Sequence, residues 1–156
     1  MSDTVLEATG IGGAGPVAGA VAGRANIFEM TEAAEDAVLR PRETGRWPHT
    51  LRAGLAARIA NQNDAQDLAR QFLENAGEFA PLADPKTGGT GDLAPVLAFM
   101  DKVATQTREV KADDIASLQK AGIADADIVR LCELNAFLAY QLRVIAGLRL
   151  MVGGAS

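Results

Sequence analysis

Two side chains here can transfer a proton or attack an electrophile near neutral pH: the only cysteine, Cys132, and the only histidine, His49. One thiol cannot close an intrachain disulfide, so chemistry that cycles through a dithiol within one chain is excluded. Cys132 follows Leu131 in a long apolar helical pattern, where a free cysteine is expected to fill the core as a small hydrophobe. Arg130, its nearest cation in sequence, points to a different face. His49 stands in the run Trp47-Pro48-His49-Thr50-Leu51-Arg52 at the start of a helix. As structure, it is a loop histidine beside a tryptophan that plugs a packing gap. As chemistry, it is a general acid/base for a carbon acid, with Arg52 one turn on to anchor a substrate carboxylate.

A third group interleaves with the apolar stripe of the last helix: Glu133, Asn135, Tyr140, Gln141 and Arg143. Glu133 and Tyr140, seven residues apart, share a face, whereas Glu133 and Arg143 do not. These residues line a subunit interface or a ligand pocket. No metal or other cofactor is expected, because one His, one Cys and no carboxylate cluster at ligand spacing make a poor donor set. A serine triad fails on similar grounds, since the serines are Ser2, Ser117 and Ser156.

The elements that must position these residues are helical. The 156 residues suit one domain; 30 are alanine and only 4% are aromatic, a composition for closely approaching helices. A net charge of −5 and a pI near 4.9 argue against nucleic acid or an anionic membrane as partner. Arg40, Arg42 and Arg46, diluted by Glu43, Pro41 and Gly45, read as a solvated loop. Residues 1–9 hold no basic residue, unlike a secretory signal, and residues 10–23 are glycine-broken and too short to span a bilayer. With one unpaired cysteine, a cytoplasmic location is expected.

Residues 1–24 are expected to form a flexible Gly/Ala-rich arm, and 25–152 the helical domain. Gly10, Gly12 and Gly15 spell a G-x-G-x-x-G, but no strand precedes it and Pro16 follows at once. The dinucleotide reading is therefore set aside in favour of a mobile tail or an arm laid over a neighbouring subunit. A short helix at 32–39 has Phe28, Met30, Ala34, Ala37 and Val38 as its expected inner stripe. Leu51, Leu55 and Ile59, then Leu68, Phe72 and Ala76, predict helices near 50–61 and 65–77. A polar elbow joins them, with Asp64 as the N-cap of the second. A Pro/Gly loop over 78–91 leads to a helix capped by Asp92, with Val96, Leu97, Met100 and Val103 facing inward. A short helix at 113–121 follows. Ile128, Leu131, Leu134, Leu138, Leu142, Ile145 and Leu148 then mark a helix over 126–151, longer than so small a core needs, and the excess points to another subunit.

This order of elements resembles the alkylhydroperoxidase D-like, carboxymuconolactone decarboxylase (CMD) superfamily, closest to its CMD domain protein branch. The residues that carry the likeness are Leu97, Phe99, Asp101 and Lys102, then Asp114-Ile115 and Leu118. Ala121-Gly122-Ile123, Asp127-Ile128, Phe137, Arg143 and Gly147-Leu148 complete it, over roughly 25–151. The resemblance implies an all-α bundle whose subunits assemble as trimers, hexamers or dimers. It also implies an elbow that in peroxidase members carries Cys-x-x-Cys-x-x-x-His, with a Glu twelve residues before the first Cys. Onto that pattern fall Ala65 and Leu68 at the cysteines, Phe72 at the histidine and Ala53 at the glutamate. A one-residue slide puts Asp64 and Asp67 at the cysteines, and no register supplies a thiol.

Family-type thiol peroxidase activity is therefore disfavoured. The leading reading is binding of, or acid/base chemistry on, a small organic acid or lactone, as in carboxymuconolactone decarboxylation. Its catalytic candidates are His49 and Arg52, with Asn61, Asn63, Glu133, Asn135, Tyr140 and Arg143 as pocket or interface residues. The alternatives are a non-catalytic assembly partner of an active peroxidase-related paralogue, or a peroxidase-type oxidoreductase such as the family implies.

Overall fold

The computed structural model describes residues 4–153, so Ser2 and Ser156 lie outside the described residues. In chain order the helices are α1 (Thr4–Thr9), α2 (Pro16–Ala22), α3 (Ala25–Leu39), α4 (His49–Gln62), α5 (Gln66–Leu73), α6 (Leu93–Thr105), α7 (Ala112–Lys120) and α8 (Asp125–Gly153). Two 3₁₀ segments, Gly77–Ala83 and Thr107–Glu109, flank α6. No strand occurs among the described residues, and the architecture is all-α.

Helix α4 is the axis of the molecule. Every residue from Leu51 to Ala60 is buried, and α5, the 77–83 segment, α6 and α8 all pack on it. Its alanines, Ala53, Ala56, Ala57 and Ala60, keep the helix thin enough to be enclosed from all sides. Around it Leu55, Leu68, Met100 and Leu138 are fully buried, each contributing roughly 1.5–3 kcal/mol. Gly54 belongs to the same close packing: a Cβ there would lie 2.7 Å from the Phe79 carbonyl oxygen. The expected stripes of α4, α5 and α8 face the core as read, with Leu142 and Leu148 at its margin.

Four local expectations are corrected. The arm assigned to residues 1–24 is helical over Thr4–Thr9 and Pro16–Ala22. Val5 and Ala8 are buried, α1 packs on α8 and α5, and Thr4 donates to Glu35. Both helices are too short to be stable alone, so tertiary contact rather than local period forms them. Helix α3 begins at Ala25 and buries Thr31, Glu35 and Leu39, while Met30, Ala34 and Ala37 are exposed. Its inner stripe is polar because α8 answers it: Thr31 bonds Tyr140 at 2.8 Å and Gln141 donates to Glu35 at 2.7 Å.

The elbow is the third correction. Asp64 caps nothing; it adopts φ 56, the left-handed position that ends α4. Ala65 N–H reaches the Ala60 carbonyl at 3.0 Å and Asp64 N–H the Asn61 carbonyl at 3.3 Å, a Schellman closure. The same two bonds end α7, where Gly122 holds the left-handed place. Asp64→Gly therefore removes a steric cost and is expected to stabilise the fold by about 1 kcal/mol, a rise of a few degrees in Tm by thermal circular dichroism. A fall in Tm would contradict this. Fourth, Asp92 makes no cap hydrogen bond; it pairs with Arg46 at 2.9 Å instead.

Helix α8, 29 residues and on the order of 43 Å long, is by length and composition also long and apolar enough to cross a membrane. Its inward face supplies the core with Ile128, Leu131, Leu134, Leu138 and Ile145, and buries Asn135 and Gln141. The start of α7 is fixed electrostatically. Asp114 accepts from both Lys102 and the Lys111 backbone N–H, which hold its carboxyl below the usual carboxylate range. With the folded pKa depressed, that contribution is present at neutral pH and is lost as acid protonates the group.

Candidate functional site

Pro48, in extended conformation, starts α4 and places His49 as its first residue, exposed to solvent. The ring Nε2 lies 2.9 Å from the Pro41 carbonyl. A carbonyl only accepts, so this contact assigns the proton of the neutral ring to Nε2 and leaves Nδ1 as a free acceptor. His49 lines a cavity of about 250 Å³ with Leu39, Arg40, Thr50, Ala53, Phe72 and Asn75. Leu39, Ala53 and Phe72 make its apolar lining, while Thr50 and Asn75 bring side chains that can donate to a carbonyl oxygen. On its rim Arg40 is paired with Asp36 and, at 3.5 Å, with buried Glu35.

Arg52 is not in that cavity. Its side chain is buried, and all three guanidinium nitrogens donate to backbone carbonyls: Nε to Trp47, Nη1 to Val38 and Nη2 to Thr44, at 2.8–2.9 Å. Burial, and then the charge of Arg130, lower its pKa from the usual arginine value, while Glu133 and Asp127 oppose them. It closes the 38–47 segment and has no free donor fork to offer a carboxylate. By holding that segment, which carries Pro41, it positions His49. Trp47 fills its gap as expected, with Nε1 donating to the Asp127 carbonyl at 2.8 Å.

The four positions aligned with the redox motif divide among three places. Ala53 and Phe72, at the glutamate and histidine positions, line the His49 cavity. Ala65 lines a second, larger cavity at the elbow, together with Asn63, Asn135 and Arg143; Leu68 is fully buried. Asn61 is tied to the Ala83 carbonyl, Glu133 is exposed on α8, and Tyr140 is held by Thr31. Cys132, expected in the core, is exposed. One residue past Leu131 turns it about 100° around the helix, off the buried stripe. Partial burial and then Glu133 raise its pKa, the opposite of what a reactive thiol requires. No group of three or more His, Cys, Asp or Glu able to hold a metal occurs among the described residues.

Two buried charges escaped the sequence reading. Glu35 collects Thr4, Gln141 and Arg40. Arg58 forks onto Asp101 at 2.7 and 2.8 Å and reaches the carbonyls of Leu82, Asp84, Pro85 and Thr87. A signal existed for each: Glu35 lies four residues from both Thr31 and Leu39, and Arg58 sits in the middle of an apolar helix. Comparison of the chain with protein-family models, with curated proteins and with solved structures finds no match.

Proposed function

We propose that this chain is an alkylhydroperoxidase D-like, CMD-type protein that acts without a thiol, binding a small organic acid or lactone and moving a proton on it. The observation that supports this reading is the cavity in which His49 stands beside Ala53 and Phe72. Those are the positions where the resembled peroxidases keep their glutamate and histidine, so proton-transfer groups in that lineage belong at the same corner. Here His49 takes the role: Nε2–H is fixed on Pro41, and Nδ1 accepts the proton from carbon next to the substrate carbonyl. Thr50, Asn75 and the first amides of α4 stabilise the resulting enolate oxygen.

The test is base-catalysed exchange. Small lactones and 2-substituted organic acids are incubated with the protein in D₂O, and deuterium uptake next to the carbonyl is followed by NMR. Uptake by the wild type that falls about 100-fold or more in His49→Ala supports the assignment; uptake no faster than buffer across the panel ends it.

A second reading, a non-catalytic assembly partner, is favoured by one observation. Leu150 is 78% exposed and Met30 65%, and Val129 and Met151 also present apolar side chains to solvent. Homo-oligomerisation, as trimer, hexamer or dimer, belongs to the first reading; in the second the chain associates with an active paralogue. Co-purification of a Cys-x-x-Cys homologue at fixed stoichiometry selects the second.

A further inference from the structure

The elbow cavity shares no lining residue with the His49 cavity and holds about 280 Å³, room for roughly nine water volumes. One wall is aliphatic, with Ile59, Leu142 and Ile145 from α4 and α8. Its polar side chains are nearly all committed inside the fold. Asn63 donates to the Ile59 carbonyl at 2.8 Å, Asn135 to the Met100 carbonyl at 3.0 Å, and Thr107 to the Val103 carbonyl at 2.6 Å. Arg149, at one end, is held by the Ala8 carbonyl at 2.7 Å and by Asp67 at 3.2 Å. Arg143 differs: it lines the cavity and its guanidinium has no hydrogen-bond or ion-pair partner among the described residues. It is exposed on α8, and its nearest charged neighbours on the same helix face, one and two turns away, are absent: those places hold Ala139, Ala136 and Gly147.

A chamber with an aliphatic wall, whose one lining polar side chain without a partner among the described residues is cationic, selects a ligand with a single anionic head and an apolar body. We infer that the elbow cavity is a binding site for a medium-chain monocarboxylate. The chain of about six carbons lies against Ile59, Leu142 and Ile145, and the carboxylate takes a bidentate pair from Arg143. This is a site separate from the proton-transfer corner at His49 and stands whether or not that corner is catalytic.

Sodium hexanoate is the probe, titrated into the full chain and followed by amide chemical shifts, with hexan-1-ol and acetate as partners in the comparison. The expected result is saturable hexanoate binding with shifts centred on Asn63, Ala65 and 139–146, weakened at least tenfold in Arg143→Gln. Both hexan-1-ol, which lacks the charge, and acetate, which lacks the tail, are expected to bind at least tenfold more weakly than hexanoate. Ala139→Leu, which fills the chamber and leaves Arg143 in place, is expected to abolish the shifts. Arg143 is exposed, so its variant keeps the fold, and unchanged dispersion of the remaining amide signals checks this. Absence of saturable shifts in the wild type, equal affinity in Arg143→Gln, or hexanol binding as tightly as hexanoate would overturn the assignment.

Discussion

Arg58→Met is expected to destabilise the protein by about 3–5 kcal/mol, the range for breaking a buried charge pair by removing one partner. The Arg58 side chain is 3% exposed, and its guanidinium joins Asp101 on α6 to the carbonyls of Leu82, Asp84, Pro85 and Thr87. Methionine matches the stem but leaves Asp101 without its counter-ion and the 82–87 turn without its centre. Lysine is not a rescue, since a point charge on a flexible stem cannot serve a carboxylate and a ring of carbonyls together. Urea denaturation followed by circular dichroism reads the effect. A loss under about 1 kcal/mol for Arg58→Met would mean that the turn is held by something other than this side chain.

Arg52→Met is the second large effect, about 3 kcal/mol by the same measurement, because three carbonyls lose charge-assisted partners at once. Its consequence extends beyond stability. The carbonyls of Val38, Thr44 and Trp47 bracket the segment in which Pro41 meets His49. Releasing them is expected to free the imidazole from its single tautomer, seen as loss of the distinct Nδ1 and Nε2 nitrogen signals of a neutral ring fixed in one form. A variant that loses stability but keeps that signature would show that Pro41 is held independently of Arg52. The role is positional: Arg52 touches the segment, not a substrate.

These two arginines also mark where sequence reasoning stopped. Period and composition were sufficient for the all-α class and for the inward faces of α4, α5, α6 and α8, because those faces are apolar and recur every three or four residues. They failed on α3, whose buried stripe is Thr31, Glu35 and Leu39, since a polar stripe is visible only with its partners Tyr140 and Gln141 in view. They failed on α1 and α2 because segments of six and seven residues are too short to show a helical period of their own. Arg52 was expected at a substrate because arginine in sequence looks like a free cation; its partners are backbone carbonyls, which no side-chain pattern encodes. His49 was placed correctly at the start of its helix, whereas the cavity that gives it meaning needed Phe72 and Asn75 from α5 and the turn after it.

Hydroperoxide consumption by the reduced protein, compared with Cys132→Ala, bears most directly on the claim that this molecule works through proton transfer rather than sulfur. The two proteins are expected to consume cumene hydroperoxide at the same rate, no faster than buffer with reductant. A turnover carried by the wild type and abolished by Cys132→Ala would contradict it.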